Sequence, residues 1–303
     1  MSRHAQNVNF RVADRDFKYY IFDWDDNILH MPTRIHLEKR MPDGTWQPHS
    51  VSTAAFAVVR NDRDNYRAPN GVWDNAFVEF QDYADESESR FLRDTRVSLE
   101  KVKKGELPPG PSFETLRETL REGRLFAIVT ARGHESESLK KAVRLFVDVV
   151  LTPAEREEMM ANLRGYRASF DGLSSFGTDE EELDYYLSLN RYHAVTSPGF
   201  RRWMAQASAG RSSPENAKQF AIRDFVEHVI RILVRTGADS LRRPISVGFS
   251  DDDLGNVAAI ERYIQQELSA RFPGIKFCVY DTSDPALADG RKVVVSGQLD
   301  FGF

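Results

Sequence analysis

Short apolar runs alternating with amphipathic helical patterns predict an α/β protein, with a parallel sheet covered by helices on both faces in three layers. Two observations carry this reading. Residues 19–22, 125–129, 245–249 and 276–280 are brief, apolar and rich in β-formers. Between them lie stretches whose apolar residues recur at helical spacing, and three of the runs stop at polar or acidic clusters.

The helices can be placed in order. Ser112 stands as an N-cap before residues 113–122, with Leu116 and Leu120 on one face and Gly123 as the stop. Ser212 and Glu215 have capping-box spacing around Pro214, and the stripe of Ile222, Val226, Val229, Ile230 and Leu233 runs on to Gly237. A further helix begins near Asn256 and carries Val257, Ile260, Ile264 and Leu268.

Two stretches interrupt the alternation. Residues 31–107 hold a hairpin candidate, Ile35–Arg40 and 45–51 around the turn Met41-Pro42-Asp43-Gly44, then a polar helix at 85–104. Residues 151–211 open on Thr152, Pro153 and Glu155, a helix start. Both are read as lids, leaving residues 1–30, 108–150 and 212–303 as a discontinuous core.

Composition narrows the class. With 303 residues and 41% hydrophobic content the chain can bury a large core. A formal net charge of −5 argues against a general nucleic-acid binder or a binder of anionic membranes. The single cysteine, Cys278, excludes an intramolecular disulfide and a cysteine-based zinc site. No apolar stretch has the length of a signal peptide or a membrane span, so a cytoplasmic protein is expected.

In an open parallel sheet, ligands collect at the carboxyl ends of the strands. After the first run comes Asp23-Trp24-Asp25-Asp26-Asn27, after the second Thr130-Ala131-Arg132-Gly133, and after the third Ser250-Asp251-Asp252-Asp253. Acids gathered at one mouth repel one another unless a cation offsets them, which points to a hard divalent ion such as Mg²⁺. Arg132 is a candidate phosphate contact, with a surface charge as the plain alternative, and Trp24 should turn away into the core.

These residues resemble the haloacid dehalogenase superfamily, in its phosphatase branch. Tyr20-Ile21-Phe22-Asp23-Trp24-Asp25 looks like its Asp-x-Asp motif, Phe126-Ala127-Ile128-Val129-Thr130 like its strand ending in Thr, Lys218 like its lysine, and residues 247–256 like its final acidic motif. Asn27 departs from the commoner Thr, and Gly255 stands where some members have a second acid. The resemblance implies a Rossmann-like fold in which the two insertions are caps. It implies a Mg²⁺-dependent phosphomonoester hydrolase acting through an aspartyl-phosphate. Asp23 would be the nucleophile and Asp25 the proton donor and acceptor. The metal would be held by Asp23, Asp251, the backbone carbonyl of Asp25 and, directly or through water, Asp252. Thr130 and Lys218 would hold the phosphoryl group, with Arg211 the alternative to Lys218. The partner expected is a small phosphorylated substrate. The alternatives are a polynucleotide or phosphoprotein phosphatase and a non-catalytic binding protein of the same fold.

Overall fold

The computed structural model describes residues 6–83, 88–208, 214–284, 287 and 290–296. After a 3-10 turn at Phe10–Asp14 the chain forms β1 (Phe17–Phe22), β2 (Ile35–Arg40), β3 (Trp46–Val51), α1 (Thr53–Val59), β4 (Tyr66–Arg67), α2 (Trp73–Ala76) and α3 (Arg90–Lys103). It continues through α4 (Phe113–Arg121), β5 (Phe126–Thr130), α5 (Ser136–Val150), α6 (Pro153–Phe170), α7 (Asp179–Leu189) and β6 (Arg191–Ala194). Then come α8 (Pro198–Ser208), α9 (Pro214–Arg235), β7 (Ile245–Asp251), α10 (Leu254–Tyr263), β8 (Ile275–Asp281) and β9 (Arg291–Ser296).

The main sheet has the order β6-β5-β1-β7-β8-β9 and is parallel except for β9, which runs antiparallel to β8 at the edge. Alternation along β1 divides the core. Phe17, Tyr19 and Ile21 pack with Phe225, Val229 and Ile260 of α9 and α10, and Phe22 packs on the other face with Leu116, Phe146 and Leu163 of α4, α5 and α6. Helices therefore lie on both faces, as expected. Trp24 is buried in the second cluster, where its ring lies 5.3 Å from that of Phe91.

β1 is central, and the strands beside it, β5 and β7, both come later in the chain. The connections thus diverge from β1 to either side, which opens a crevice at its carboxyl end. Asp23, Thr130 and Asp251 all stand at that end.

The division into core and lids changes in two places. Residues 31–107 do carry a separate three-stranded sheet, β3-β2-β4, around Ile35, Leu37 and Val51. Helix α3 from the same stretch, however, sends Phe91 and Leu99 into the main core. Residues 151–211 are not a lid: β6 pairs with β5 in the main sheet, and α6 and α7 bury Met159, Leu163, Leu183 and Leu187 against it. The α6 cap forms as expected, with Thr152 and Glu155 bonding reciprocally. Ser112 does not cap α4; its hydroxyl donates instead to the Asn27 side chain at 2.8 Å. The polar helix expected at 85–104 is α3; residues 84–87, Ser212 and Arg211 lie outside the described residues. Among those described, no helix is long and apolar enough to cross a membrane.

Gly165 sits inside α6, where glycine is costly relative to alanine. The reason is close approach: a Cβ there would overlap the backbone carbonyl of Asn9, in the segment whose amide bonds Ala161 at 2.9 Å. Gly165→Ala is therefore expected to lower stability by about 1–3 kcal/mol despite the better helix former. Denaturant midpoints check this, and an unchanged or raised midpoint would refute the contact.

Candidate functional site

Three carboxylates and one ammonium meet where β1 and β7 end. One oxygen from each of Asp23, Asp251 and Asp252 lies within 4.8 Å of the other two. Asp23 and Asp251 are buried, and Asp252 is half-buried. Lys218, from the first turns of α9, is only 4% exposed and reaches both buried acids: Nζ donates to Asp23 Oδ1 at 3.2 Å and to Asp251 Oδ2 at 2.6 Å. Lys218 thus lies at the centre of the group.

The electrostatics follow from burial and crowding. Burial, reinforced by the charges of Asp251 and Asp25 and opposed by Lys218, pushes the Asp23 carboxyl up to about 8. Burial, with Asp23 and Asp251 beside it, pushes Asp252 up to about 9. Burial alone would lower Lys218, but the carboxylates of Asp23 and Asp251 outweigh it and raise the ammonium above its ordinary range. One ammonium cannot balance three carboxylates, so the lysine stays charged while the acids crowd one another upward.

Neighbouring residues fix the acids in place. Asp251 also accepts the Asp253 backbone N–H at 3.0 Å and the Asn256 amide at 3.2 Å. Beneath the site, the fully buried Asn27 amide donates to the Asp23 carbonyl at 2.9 Å and to the Ser250 hydroxyl at 3.0 Å. Its oxygen accepts from Ser112 at 2.8 Å and Thr282 at 2.9 Å. Asn27 therefore ties β1 to β7, to the start of α4 and to the end of β8.

Asp25 is separated from this group. Its carboxylate is held by the fork of Arg132, Nε to Oδ2 at 2.7 Å and Nη2 to Oδ1 at 2.5 Å, and Thr130 reaches it only at 3.5 Å. Its backbone carbonyl accepts the Asn27 N–H at 2.6 Å. Arg132 is fully buried, with its guanidinium 4.6 Å from the ring centre of Phe80 and 5.1 Å from that of Phe91. The expected surface or phosphate-facing arginine is thus an internal partner of Asp25, and Asp25 lies outside the carboxylate group expected to ligate metal.

Asp26 and Asp253, the other acids of the two clusters, anchor the 31–107 segment. Asp26 accepts the Thr53 hydroxyl at 2.5 Å and bonds His30 Nδ1 at 2.8 Å. Asp253 caps α10 and pairs with Arg60 at 2.5 Å. The register of the third acidic cluster is settled by this: Asp251 and Asp252 face the lysine-centred group, and Asp253 starts the helix. Arg60, Phe80 and Thr282 went unread in the sequence, since none lies in a patterned motif, and Phe91 reads only as part of a polar helix.

The donor set suits a hard cation, because its three possible ligand atoms are carboxylate oxygens and, among the described residues, no histidine or cysteine joins them. No protein-family model, no curated protein and no solved structure matches this chain.

Linkage gives a test of the cluster. In the folded protein, Asp23 and Asp252 bind protons above the unfolded value of 3.8. The stability they contribute is full below that value and lost as pH rises through about 8 and about 9. Lys218, raised above 10.5, contributes steadily across the same window. In chelator, Tm should fall from pH 6 to pH 9, Asp252→Asn should flatten the fall, and Mg²⁺ should raise Tm more at pH 9 than at pH 6. A flat metal-free profile would contradict the crowding.

Proposed function

We propose that this protein is a phosphomonoester hydrolase that uses Asp23 as nucleophile and requires a divalent cation, with Mg²⁺ the best match to the donor set. The observation that carries the reading is Lys218 bridging Asp23 and Asp251, with Asp252 alongside, at the mouth of the crevice. The resemblance of the strand-end motifs, which include these same residues, to haloacid dehalogenase-type phosphatases also supports it.

In this reading Asp23, Asp251 and Asp252 hold the cation, which supplies charge neutralisation to the carboxylates and to the phosphoryl oxygens. Asp23 forms a bond to phosphorus as the ester oxygen departs, and water later cleaves the resulting aspartyl-phosphate. Lys218 offsets phosphoryl charge while keeping Asp23 oriented, and Thr130 offers a hydroxyl from the neighbouring strand. The ester oxygen needs a proton as it leaves, and the attacking water must lose one. The resemblance assigns both transfers to Asp25, and each of its oxygens keeps a lone pair beyond its bond to Arg132. Arg132 is a positioning residue: its fork fixes the Asp25 carboxylate, and Phe80 and Phe91 fix the fork. The partner is a small phosphorylated molecule whose identity is set by residues around the β3-β2-β4 sheet.

Phosphate release from para-nitrophenyl phosphate and a panel of phosphorylated metabolites should depend on Mg²⁺ and stop with chelator. Asp23→Asn should lower turnover by at least about 10³-fold, as expected for loss of a nucleophile. Full turnover in that variant, or turnover indifferent to chelator, would falsify the assignment. Metal binding without turnover on any panel member would favour a binding role.

Arg132→Lys keeps the charge and loses the fork. It should lower kcat by about 100-fold with little change in KM, the scale of a displaced proton-transfer group. A change in KM alone would place Arg132 against substrate instead.

A further inference from the structure

At the opposite end of the sheet from Asp23 the structure contains a second cavity. Its volume is about 110 Å³, and it lies between the amino end of β1, helices α6 and α7, and the last turns of α9. Tyr19, Leu125, Leu163, Phe170 and Leu233 give it largely apolar walls. The apolar interior of a cavity of this order has room for about one six-membered ring.

Two features set what such a ring would carry. Tyr19 lines the cavity, is 7% exposed, and its hydroxyl has no hydrogen-bond partner among the described residues. That hydroxyl is not among the buried unpartnered atoms, so it keeps contact with solvent at the edge of the cavity and can donate to a ligand in place of water. The other hydroxyls of the lining are used: Tyr186 donates to the Arg124 carbonyl at 2.6 Å and Tyr185 to Asp171 at 3.3 Å.

The charges at the mouth do not cancel. Arg167 pairs with both acids of the lining, Asp171 at 2.9 Å and Glu182 at 3.2 Å, and Arg124 pairs with Glu122. Lys18 and Arg235, both exposed and part of the lining, have no carboxylate partner among the described residues. The rim is therefore positive and the interior apolar.

We propose that this cavity is a binding site for a small aromatic carboxylate of one ring. The ring occupies the apolar interior, the Tyr19 hydroxyl donates a hydrogen bond to it or to its substituent, and the carboxylate meets Lys18 and Arg235. The site is independent of the chemistry at Asp23, since no residue is shared between the two.

Benzoate and 4-hydroxybenzoate, titrated against the full chain by calorimetry and by ligand-observed NMR, are the probes, with toluene as the neutral control. Saturable binding of the acids, tighter than toluene, is expected. Arg235→Ala should weaken benzoate about tenfold, the scale of a charge-assisted contact, and leave toluene unchanged. Tyr19→Phe keeps the ring and should weaken 4-hydroxybenzoate, while Leu163→Trp should fill the cavity and remove binding of all three. If Leu163→Trp fails to fold by circular dichroism, Tyr19→Phe and Arg235→Ala still decide the matter. No saturable binding, binding of toluene equal to the acids, or binding untouched by both of those variants would overturn the proposal. Asp23→Asn should leave benzoate affinity unchanged, which separates failure here from failure of the phosphatase reading.

Discussion

A single buried ammonium placed among three carboxylates organises the carboxyl ends of β1 and β7. Lys218 reaches Asp23 and Asp251 from a helix that packs on the opposite side of the sheet from α4 and α5, so the contact fixes α9 against both strands at once. Breaking a buried pair of this kind leaves an uncompensated charge in the interior, which is far more costly than losing a surface ion pair. That constraint explains why so much surrounding structure is polar yet satisfied. Asp251 is held by Asn256 and the Asp253 amide, and Asp23 is held through its carbonyl by Asn27.

Asn27 is the structural counterpart of the lysine. A side-chain amide can use two donors and one oxygen with two lone pairs, and here each is engaged across four elements. The amide suits this place because it both donates to a carbonyl and accepts from hydroxyls. A threonine has one hydroxyl donor and no second polar group, so it could not span β1, β7, the start of α4 and the end of β8 together. Asparagine at this position thus has a structural basis in this chain.

Much of this was legible in the sequence, and the reasons differ by residue. Strand-end acids could be read because β1 and β7 are apolar runs that stop abruptly, and a parallel sheet forces their ends together. β6 was not legible: Arg191–Ala194 is four residues long, begins with a charge and has a single strand neighbour, so no apolar run announces it. Its absence from the reading turned α6 and α7 into an apparent lid. The partnership of Arg132 with Asp25 was hidden for another reason. A buried arginine depends on Phe80 and Phe91, which lie 41 or more residues away in the chain and become its neighbours only through the fold. Lys218 had an ordinary local context, and only the packing of α9 shows where its ammonium goes.

The acids around the mouth divide by how their charge is met, and the division marks which of them could hold a cation. Asp25 has Arg132, Asp253 has Arg60, and Asp26 has His30 and the Thr53 hydroxyl. Each of these is one carboxylate matched by its own donors. Asp23, Asp251 and Asp252 are three carboxylates that share one ammonium. Buried negative charge without a partner is expensive, and the upward displacement of Asp23 and Asp252 is its signature. A divalent cation bound there would relieve the repulsion, so the folded protein and the ion stabilise one another by mass action. Each of the other acids offers an ion a single carboxylate that already has its own cationic or hydroxyl partner, whereas this group offers three carboxylates around one ammonium. The unequal charge balance thus marks Asp23, Asp251 and Asp252 as the group that could hold a cation, from the side chains present and apart from any motif they resemble.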